Sequence, residues 1–374
     1  MSNEFSDWLA AFKAKALRQG ISANTLDMAF ADLQPNTEII AHDRHQPEHS
    51  QHIWDYLDRA VSRERITQAQ NALSKNSDLL QQIENQFGVT QEIVVAIWGL
   101  ETAYGVQRGS YPIIEALATL AFDARRRSLF EGHLVSALMI IQAGDITLRQ
   151  MTGSWAGAAG HTQFMPTSII KYAVDFDGDG RRNIWADDPM DALASTANYL
   201  ARNGWKFARP WGFEITLPHG FDYALTGTQT KKSVQFWAKL GVDRSDGHAL
   251  PADTLASVLL PSGARGPALM IFENFQVLAT YNASDAYVIA VGHLADRIRG
   301  GGEFVAAWPR TEAAMARAER SEFQERLSAA GFDPRGIDGI FGPNTYAALQ
   351  SFQTSKGLVA DGYPTHEILV RLRR

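Results

Sequence analysis

Glu101 follows an uncharged run, Ile93-Val-Val-Ala-Ile-Trp-Gly-Leu100, and precedes Thr102-Ala-Tyr-Gly105. On a helix its neighbours are Ile97 and Trp98 behind and Tyr104 and Gly105 ahead. A carboxyl held among apolar and aromatic groups loses hydration, so its charged form is disfavoured and its pKa climbs toward the pH at which it can give up a proton. That is the requirement for a general acid in glycoside cleavage. Gly99 and Gly105 would leave room for a substrate at the helix end. The same residues also suit a carboxyl that caps or pairs structurally, and both readings stand at this point.

A second candidate is the loop Gly153-Ser-Trp-Ala-Gly-Ala-Ala-Gly-His-Thr-Gln-Phe-Met-Pro166. Its glycines and alanines cannot fill a core, which predicts a backbone-rich surface that something approaches closely. Ser154, His161, Thr162 and Gln163 offer hydrogen bonds, while Trp155 and Phe164 offer flat faces. Sugars are bound by that pairing of directional polar groups and aromatic faces. A tight loop between two helices is the competing reading.

The third is Asp175-Phe-Asp-Gly-Asp-Gly-Arg-Arg-Asn-Ile-Trp185, which matches the first half of an EF-hand loop. Asp175, Asp177 and Asp179 stand at ligand positions one, three and five, Gly180 at the turn, and Arg181 where a backbone carbonyl is given. Three carboxylates this close repel one another unless a cation holds them, so calcium in a structural role is expected. A plain Asp/Gly turn is the alternative. Position twelve holds Ala186 instead of Glu, so a closing carboxylate must come from Asp187, Asp188 or Asp191. His42, His45, His49 and His52 do not share one helix face because Pro47 intervenes; they read as solvated or capping groups. Arg125-Arg-Arg127 reads either as an anion contact or as a solvated helix start.

The elements that carry these groups are mostly helical up to about Leu200. Phe5, Trp8, Leu9, Phe12 and Leu17 form one stripe. Trp54, Leu57 and Val61 share a face, and Leu73, Leu80 and Ile83 continue the pattern until Gly88. Thr90 is a suitable N-cap for the helix that bears Glu101, which Gly105 closes. Further helices are expected at Ser128–Ala143, Ala192–Asn203 and Ala286–Arg299. From Trp205 to Phe275, Pro and Gly punctuate short alternating runs, which predicts a small β-containing insertion. Gly300-Gly-Gly302 and the charged, Ala-rich stretch Arg310–Arg320 read as a linker that is helical in part. Glu322–Arg374 carries a weak internal repeat: Asp338-Gly-Ile-Phe-Gly-Pro343 is echoed by Asp361-Gly-Tyr-Pro364, each before an apolar helix face. Phe323, Leu327, Leu349, Phe352, Leu358, Ile368 and Leu372 should make its core.

The 374 residues, 45% hydrophobic and 20% charged, are ordinary globular values that exclude wholesale disorder and favour two domains. A net charge of −6 argues against nucleic acid as a partner. With no cysteine, disulfides, zinc–thiolate sites and cysteine nucleophiles are excluded. No apolar stretch reaches the roughly 18 residues needed to cross a bilayer, and Met1–Gly20 lacks the pattern of a signal peptide.

Together these motifs resemble the lytic transglycosylases of the membrane-bound B type, which cleave bacterial peptidoglycan. The resemblance runs through Trp54-Asp-Tyr56, Gly99–Gly105, Leu120-Ala-Phe-Asp123, the Gly153–Pro166 loop, Asp175–Trp185, Asp191–Tyr199 and Tyr281-Asn282 with Ser284 and Tyr287. Glu322–Arg374 resembles the three-helix peptidoglycan-binding domain. The resemblance implies a mainly α, lysozyme-like catalytic domain over residues 1–305 with the β-containing insertion at about 205–275. A linker at 306–320 and a wall-binding domain at 321–374 follow. It implies one catalytic acid, Glu101, with Ser154, Gln163, Phe164, Tyr199, Tyr281, Asn282 and Tyr287 around the substrate. It also implies Ca2+ held by Asp175, Asp177, Asp179, Arg181 and Asp191, with no organic cofactor. The expected substrate is the glycan strand, cut between N-acetylmuramic acid and N-acetylglucosamine to leave 1,6-anhydro ends. A monomer in the periplasm, associated with the outer membrane and with cell-wall synthesis proteins, would follow. A muramidase using water activated by Asp123, and a non-catalytic wall-binding scaffold, are the competing readings.

Overall fold

The computed structural model describes residues 3–44, 51–252 and 254–374; His45 and His49 lie outside the described residues. Seventeen α-helices and seven short strands are present among them, a mainly α chain as expected. The chain forms two compact units, one from residues 3–44 with Arg63–Phe207 and one from residues 51–62 with Ala208–Arg374. These units cut the chain differently from the expected domain boundaries, because the helix Ile53–Ala60 and the C-terminal module both belong to the second.

In the first unit the stretch Ile93–Leu100 of the helix Gln91–Thr102 is apolar all round, and Ile93 to Ile97 are at most 2% exposed. A helix with no polar face must be surrounded by protein, and this one is the core about which the unit is built. Arg63–Lys75, Ser77–Phe87 and Met190–Arg202 pack against it, while Ile113–Phe122 and Arg127–Ala143 pack closely on each other. The N-terminal helix Asn3–Arg18 buries Phe5, Trp8, Phe12 and Ala16, with Phe5 edge-on to Phe122 at 5.1 Å. Leu17 is 49% exposed and departs from the expected stripe; Ala16 takes the inward position instead.

The second unit contains an antiparallel five-stranded sheet in the order Lys232–Ser233, Leu255–Leu259, Ala268–Ile271, Gly212–Thr216, Asp243–Arg244. Its register sets Gly212 opposite Ile271 and Ile215 opposite Ala268. Ile215, Val258 and Met270 point into one core closed by Trp237, whose indole N–H donates to the Ala256 carbonyl at 3.0 Å. This is the expected β-containing segment.

The stretch read as a linker is strapped down within this unit. Glu214 accepts from the backbone N–H groups of Val305 and Ala306 at 2.6 and 2.8 Å, and Arg310 donates both amino groups to Asp58. The rings of His293, Phe304, Trp308, Trp54 and His52 form a continuous series of contacts at 4.2–6.3 Å.

Three helices, Arg317–Ala329, Pro343–Ser355 and His366–Leu372, make the C-terminal module around Phe323, Leu327, Leu349, Phe352 and Ile368. Leu358 and Leu372 are only partly buried against that core. The weak repeat has a physical basis. Gln324 accepts from the N–H groups of Asp338 and Gly339 and donates to Asp338, while Gln353 accepts from Gly362 N–H and donates to Asp361. Each copy is one helix glutamine clamping one Asp-Gly turn. In the second copy the other Asp361 oxygen accepts from Ala264 N–H at 2.9 Å, which joins the module to the β-containing segment.

Candidate active site

The helix bearing Glu101 stops one residue after it, at Thr102, three residues short of the expected Gly105. Ala103, Tyr104 and Gly105 follow with φ of 48°, 61° and 88°, three successive left-handed residues of which two carry a Cβ. Each such non-glycine residue costs on the order of 1 kcal/mol and persists only when its surroundings over-determine it. Here they do. Ala103 N–H donates back to Gly99, Gly105 N–H donates to Thr102 Oγ1 at 2.9 Å, and Gln107 N–H to Thr102 O at 2.9 Å. Thr102 Oγ1 in turn donates to the His161 carbonyl at 2.6 Å.

This reversal redirects Tyr104. Its ring folds back over Gly99 and stands edge-on to Trp98 at 5.7 Å, and its hydroxyl donates to Arg65 O at 3.0 Å. Burial pushes the Tyr104 phenol up to about 12, against the opposing Arg65 charge, so it stays a hydrogen-bond donor. Arg65 also donates to the Gly99 carbonyl, holding the last turn from the outside. Space over Gly99 is therefore taken by Tyr104 and space over Gly105 by the His161 ring. Those glycines serve the chain's own packing and do not leave the expected opening for substrate. Glu101 itself is half-buried at the mouth of this turn.

The glycine-rich loop shows the same correction. A Cβ on Gly157 would strike Leu117, and one on Gly160 would strike Ile184. Gly109 and Gly153 similarly let the loop lie against neighbouring backbone. What approaches these glycines is the protein. Phe164 is 2% exposed and packs on Tyr199 at 5.7 Å, so it offers no face to a ligand and supports Tyr199 instead. Tyr199 is half-buried, also against Tyr172. Trp155 is half-exposed with one face on the His42 ring. Ser154 is half-exposed, and its Oγ accepts from Ala158 N–H at 3.0 Å. Gln163 has a left-handed φ of 53° and uses both amide N–H donors, on Arg108 O and Gly160 O. Only its amide oxygen could then serve a ligand.

His161, read as a sugar contact, is 4% exposed and structural. Its Nδ1 accepts from the Trp98 indole N–H at 3.2 Å, and its Nε2 lies 2.8 Å from the Ala186 carbonyl. That pattern requires the neutral ring with its proton on Nε2, and burial lowers its pKa accordingly. Arg125 and Arg126 converge on the buried Asp43 at 2.6 and 2.5 Å. Arg125, Arg126 and Arg127 are exposed at the start of the helix Arg127–Ala143, as the helix-start reading expects, and the first two also hold that ion pair.

Asp175, Asp177 and Asp179 bring carboxylate oxygens within 4.8 Å of one another on an exposed loop. Of the three proposed closing residues, Asp187 pairs with Arg108 at 2.9 Å and Asp188 accepts from Met190 N–H at 3.0 Å. Asp191 lies beneath the loop, 4% exposed, accepting from Phe176 N–H at 2.7 Å and Asn183 N–H at 2.8 Å. Burial, with Asp177 adding repulsion, raises its pKa against those hydrogen bonds. A cation is the group that would relieve this crowding of carboxylates, so the donor set fits a hard metal. The loop's exit is tied to the acid's surroundings: Ile184 O accepts from His161 N–H, and Trp185 Nε1 donates to Thr152 O.

In the second unit Tyr281 ends the helix Glu273–Tyr281, and the exposed Asn282 accepts from Ser284 N–H at 3.0 Å. Ser284 caps the helix Asp285–Ile298, and Tyr287 is 5% exposed. Sequence reasoning missed Arg65, Thr102 and Arg108, whose partners lie far away in the chain.

A sequence profile of the Transglycosylase SLT domain matches residues 4–296, and one of a peptidoglycan binding domain matches residues 316–372. The chain is a member of the SLT family of lytic transglycosylases. SltB3 from Pseudomonas aeruginosa, solved in complex with NAG-anhNAM-pentapeptide and with NAG-NAM-pentapeptide, is 46% identical to it. The two superpose with a TM-score of 0.95 over 99% of each chain. Membrane-bound lytic murein transglycosylase B of Escherichia coli (strain K12) is 36% identical over 228 residues, 59% of this chain and 60% of that protein. The Escherichia coli lytic transglycosylase Slt35, solved in complex with calcium, gives a TM-score of 0.68 at 28% identity over 78% of this chain and 92% of that one. No described helix is long and apolar enough to cross a membrane.

The buried neutral His161 has a stability consequence with a definite sign. Its folded pKa lies below the ordinary 6.5, so the unfolded chain binds the extra proton first, and stability is lost as pH falls below about 6.5. His161→Gln should therefore show a shallower fall in melting temperature from neutral to mildly acid pH than the parent. Parallel curves would remove His161 as a contributor.

Proposed function

We propose that this transglycosylase cleaves the β-1,4 bond from N-acetylmuramic acid to N-acetylglucosamine, using Glu101 as its one acid and base. The observation that carries the reading is the place of Glu101: half-buried at the end of an apolar helix, beside a turn that three left-handed residues and a threonine hold fixed. Glu101 gives its proton to the glycosidic oxygen as the bond to C1 breaks. The carboxylate then takes the proton of the muramic acid C6 hydroxyl, whose oxygen closes on C1 to give the 1,6-anhydro ring. The proton lost in the first step is regained in the second, and no water is consumed. A nucleophile within the substrate has a large effective concentration, so a second carboxylate is unnecessary. The complexes of SltB3 with an anhydro and a non-anhydro disaccharide pentapeptide support this choice.

The water-using alternative needs a base. Asp123, the residue proposed for it, is held by Arg44 at 2.8 Å, which occupies it with an ion pair. Ser154, the Gln163 amide oxygen, Tyr199, Tyr281, Asn282 and Tyr287 are assigned to the glycan, with Phe164 acting through Tyr199. Calcium would be held by Asp175, Asp177, Asp179, the Arg181 carbonyl and Asp191; its part is to fix the loop, and the reaction draws nothing from it. The catalytic part is assigned to residues 1–305 and the wall-binding module to 321–374; the profiles that support this division span residues 4–296 and 316–372. Glycan strands as substrate place the enzyme in the periplasm.

Glu101→Gln should lower turnover of soluble muropeptides by at least about a hundredfold while glycan binding persists, since general acid–base groups contribute about that much. Undiminished turnover would remove Glu101 from the mechanism. Chelation of calcium should lower the melting temperature, and re-addition should restore it as a concentration-dependent rise. A melting temperature indifferent to both would rule out the metal.

A further inference from the structure

The loop that leaves the acid is anchored by one side chain. Arg108 Nη1 donates to the carbonyls of Trp185 at 2.8 Å and Ala186 at 3.0 Å, and lies 3.4 Å from His161 Nε2. Its Nη2 donates to Asp187 Oδ1 at 2.9 Å, and its own carbonyl accepts from Gln163 Nε2 at 3.2 Å. One residue thus binds the exit of the Asp-rich loop, the glycine-rich loop and the segment that follows Glu101. The guanidinium is suited to this because its donors are fixed in one plane and can serve several acceptors at once.

We propose that Arg108 is a positioning residue for Glu101: by fixing the far end of the left-handed turn 103–105, it sets where the acid stands against the scissile oxygen. The inference rests on Glu101 being the acid. Between the two residues the chain has only Thr102, the 103–105 reversal and the short stretch Val106-Gln107, so release of Arg108 frees the turn on one side. The inner bonds of Thr102 keep the helix end folded. The expected defect is therefore misplacement of a carboxyl, not loss of the fold, and misplacement by about 1 Å costs up to a hundredfold in rate.

The test is steady-state kinetics of the full chain on soluble muropeptides for Arg108→Met, Arg108→Lys and Asp187→Asn, with calcium affinity and melting temperature measured on each. Arg108→Met should lose about tenfold or more in kcat while KM changes by less than about twofold. Arg108→Lys should recover part of the loss, because one ammonium replaces the charge but not the fork. Asp187→Asn should lose less than Arg108→Met, since the bonds to Trp185 and Ala186 persist. Calcium affinity should be unchanged throughout. Full kcat in Arg108→Met overturns the proposal. So does a kcat loss that follows calcium affinity or unfolding at the assay temperature, which would mark Arg108 as a support of the loop alone. If Arg108→Met does not fold, the graded losses in Arg108→Lys and Asp187→Asn decide in the same way. Turnover retained by Glu101→Gln would refute the acid assignment, whereas an inactive Glu101→Gln beside a fully active Arg108→Met would refute only the positioning role.

Discussion

A carboxyl on the last turn of a buried helix can work only if the helix stops in one place, and the stop here is held by Thr102. Its hydroxyl accepts from Gly105 N–H and donates to His161 O, and its carbonyl accepts from Gln107 N–H. These bonds offset the cost of left-handed Ala103 and Tyr104, on the order of a few kcal/mol together. Remove that support and the helix would run on toward Gly105, carrying Tyr104 away from Trp98 and Arg65. The remaining architecture of the first unit supplies the apolar wall behind the acid and the partners that keep the reversal in place.

Those partners are themselves polar and buried, so each must be satisfied in turn. His161 is neutral between Trp98 and Ala186. Asp191 is held by the Phe176 and Asn183 N–H groups, and Asp145 by Arg182. The chain of bonds leads from the turn after Glu101 to the Asp-rich loop without leaving the unit. Loop 182–187 supplies the carbonyls to which His161 N–H and the Arg108 guanidinium donate, so the place of the Asp-rich loop bears on the segments around Glu101.

Much of this was legible in the sequence because it is local. The apolar run before Glu101, the Asp-x-Asp-x-Asp-Gly spacing and the Asp-Gly repeats of the module are short-range patterns. Helix limits such as Met190–Arg202 and Asp285–Ile298 came close for the same reason. What failed was anything requiring a distant partner. The glycines at 99, 105, 157 and 160 announce close approach, but spacing does not say whether a ligand or Tyr104, His161, Leu117 and Ile184 come near. Phe164 and His161 have the residue types of a sugar site and lie in the interior. The segment after Gly300 is Gly-rich and charged, yet Glu214 and Asp58, far back in the chain, fasten it. The Gln324 and Gln353 clamps sit in helices outside the repeated motifs and escaped notice for that reason.

One carboxyl suffices only if the attacking oxygen belongs to the substrate. The most direct measurement is the mass of muropeptides released by the parent enzyme in isotopically heavy-oxygen water. Products lighter by one water than reducing ends, and free of the label, are predicted. Reducing ends that carry the heavy oxygen would contradict the account.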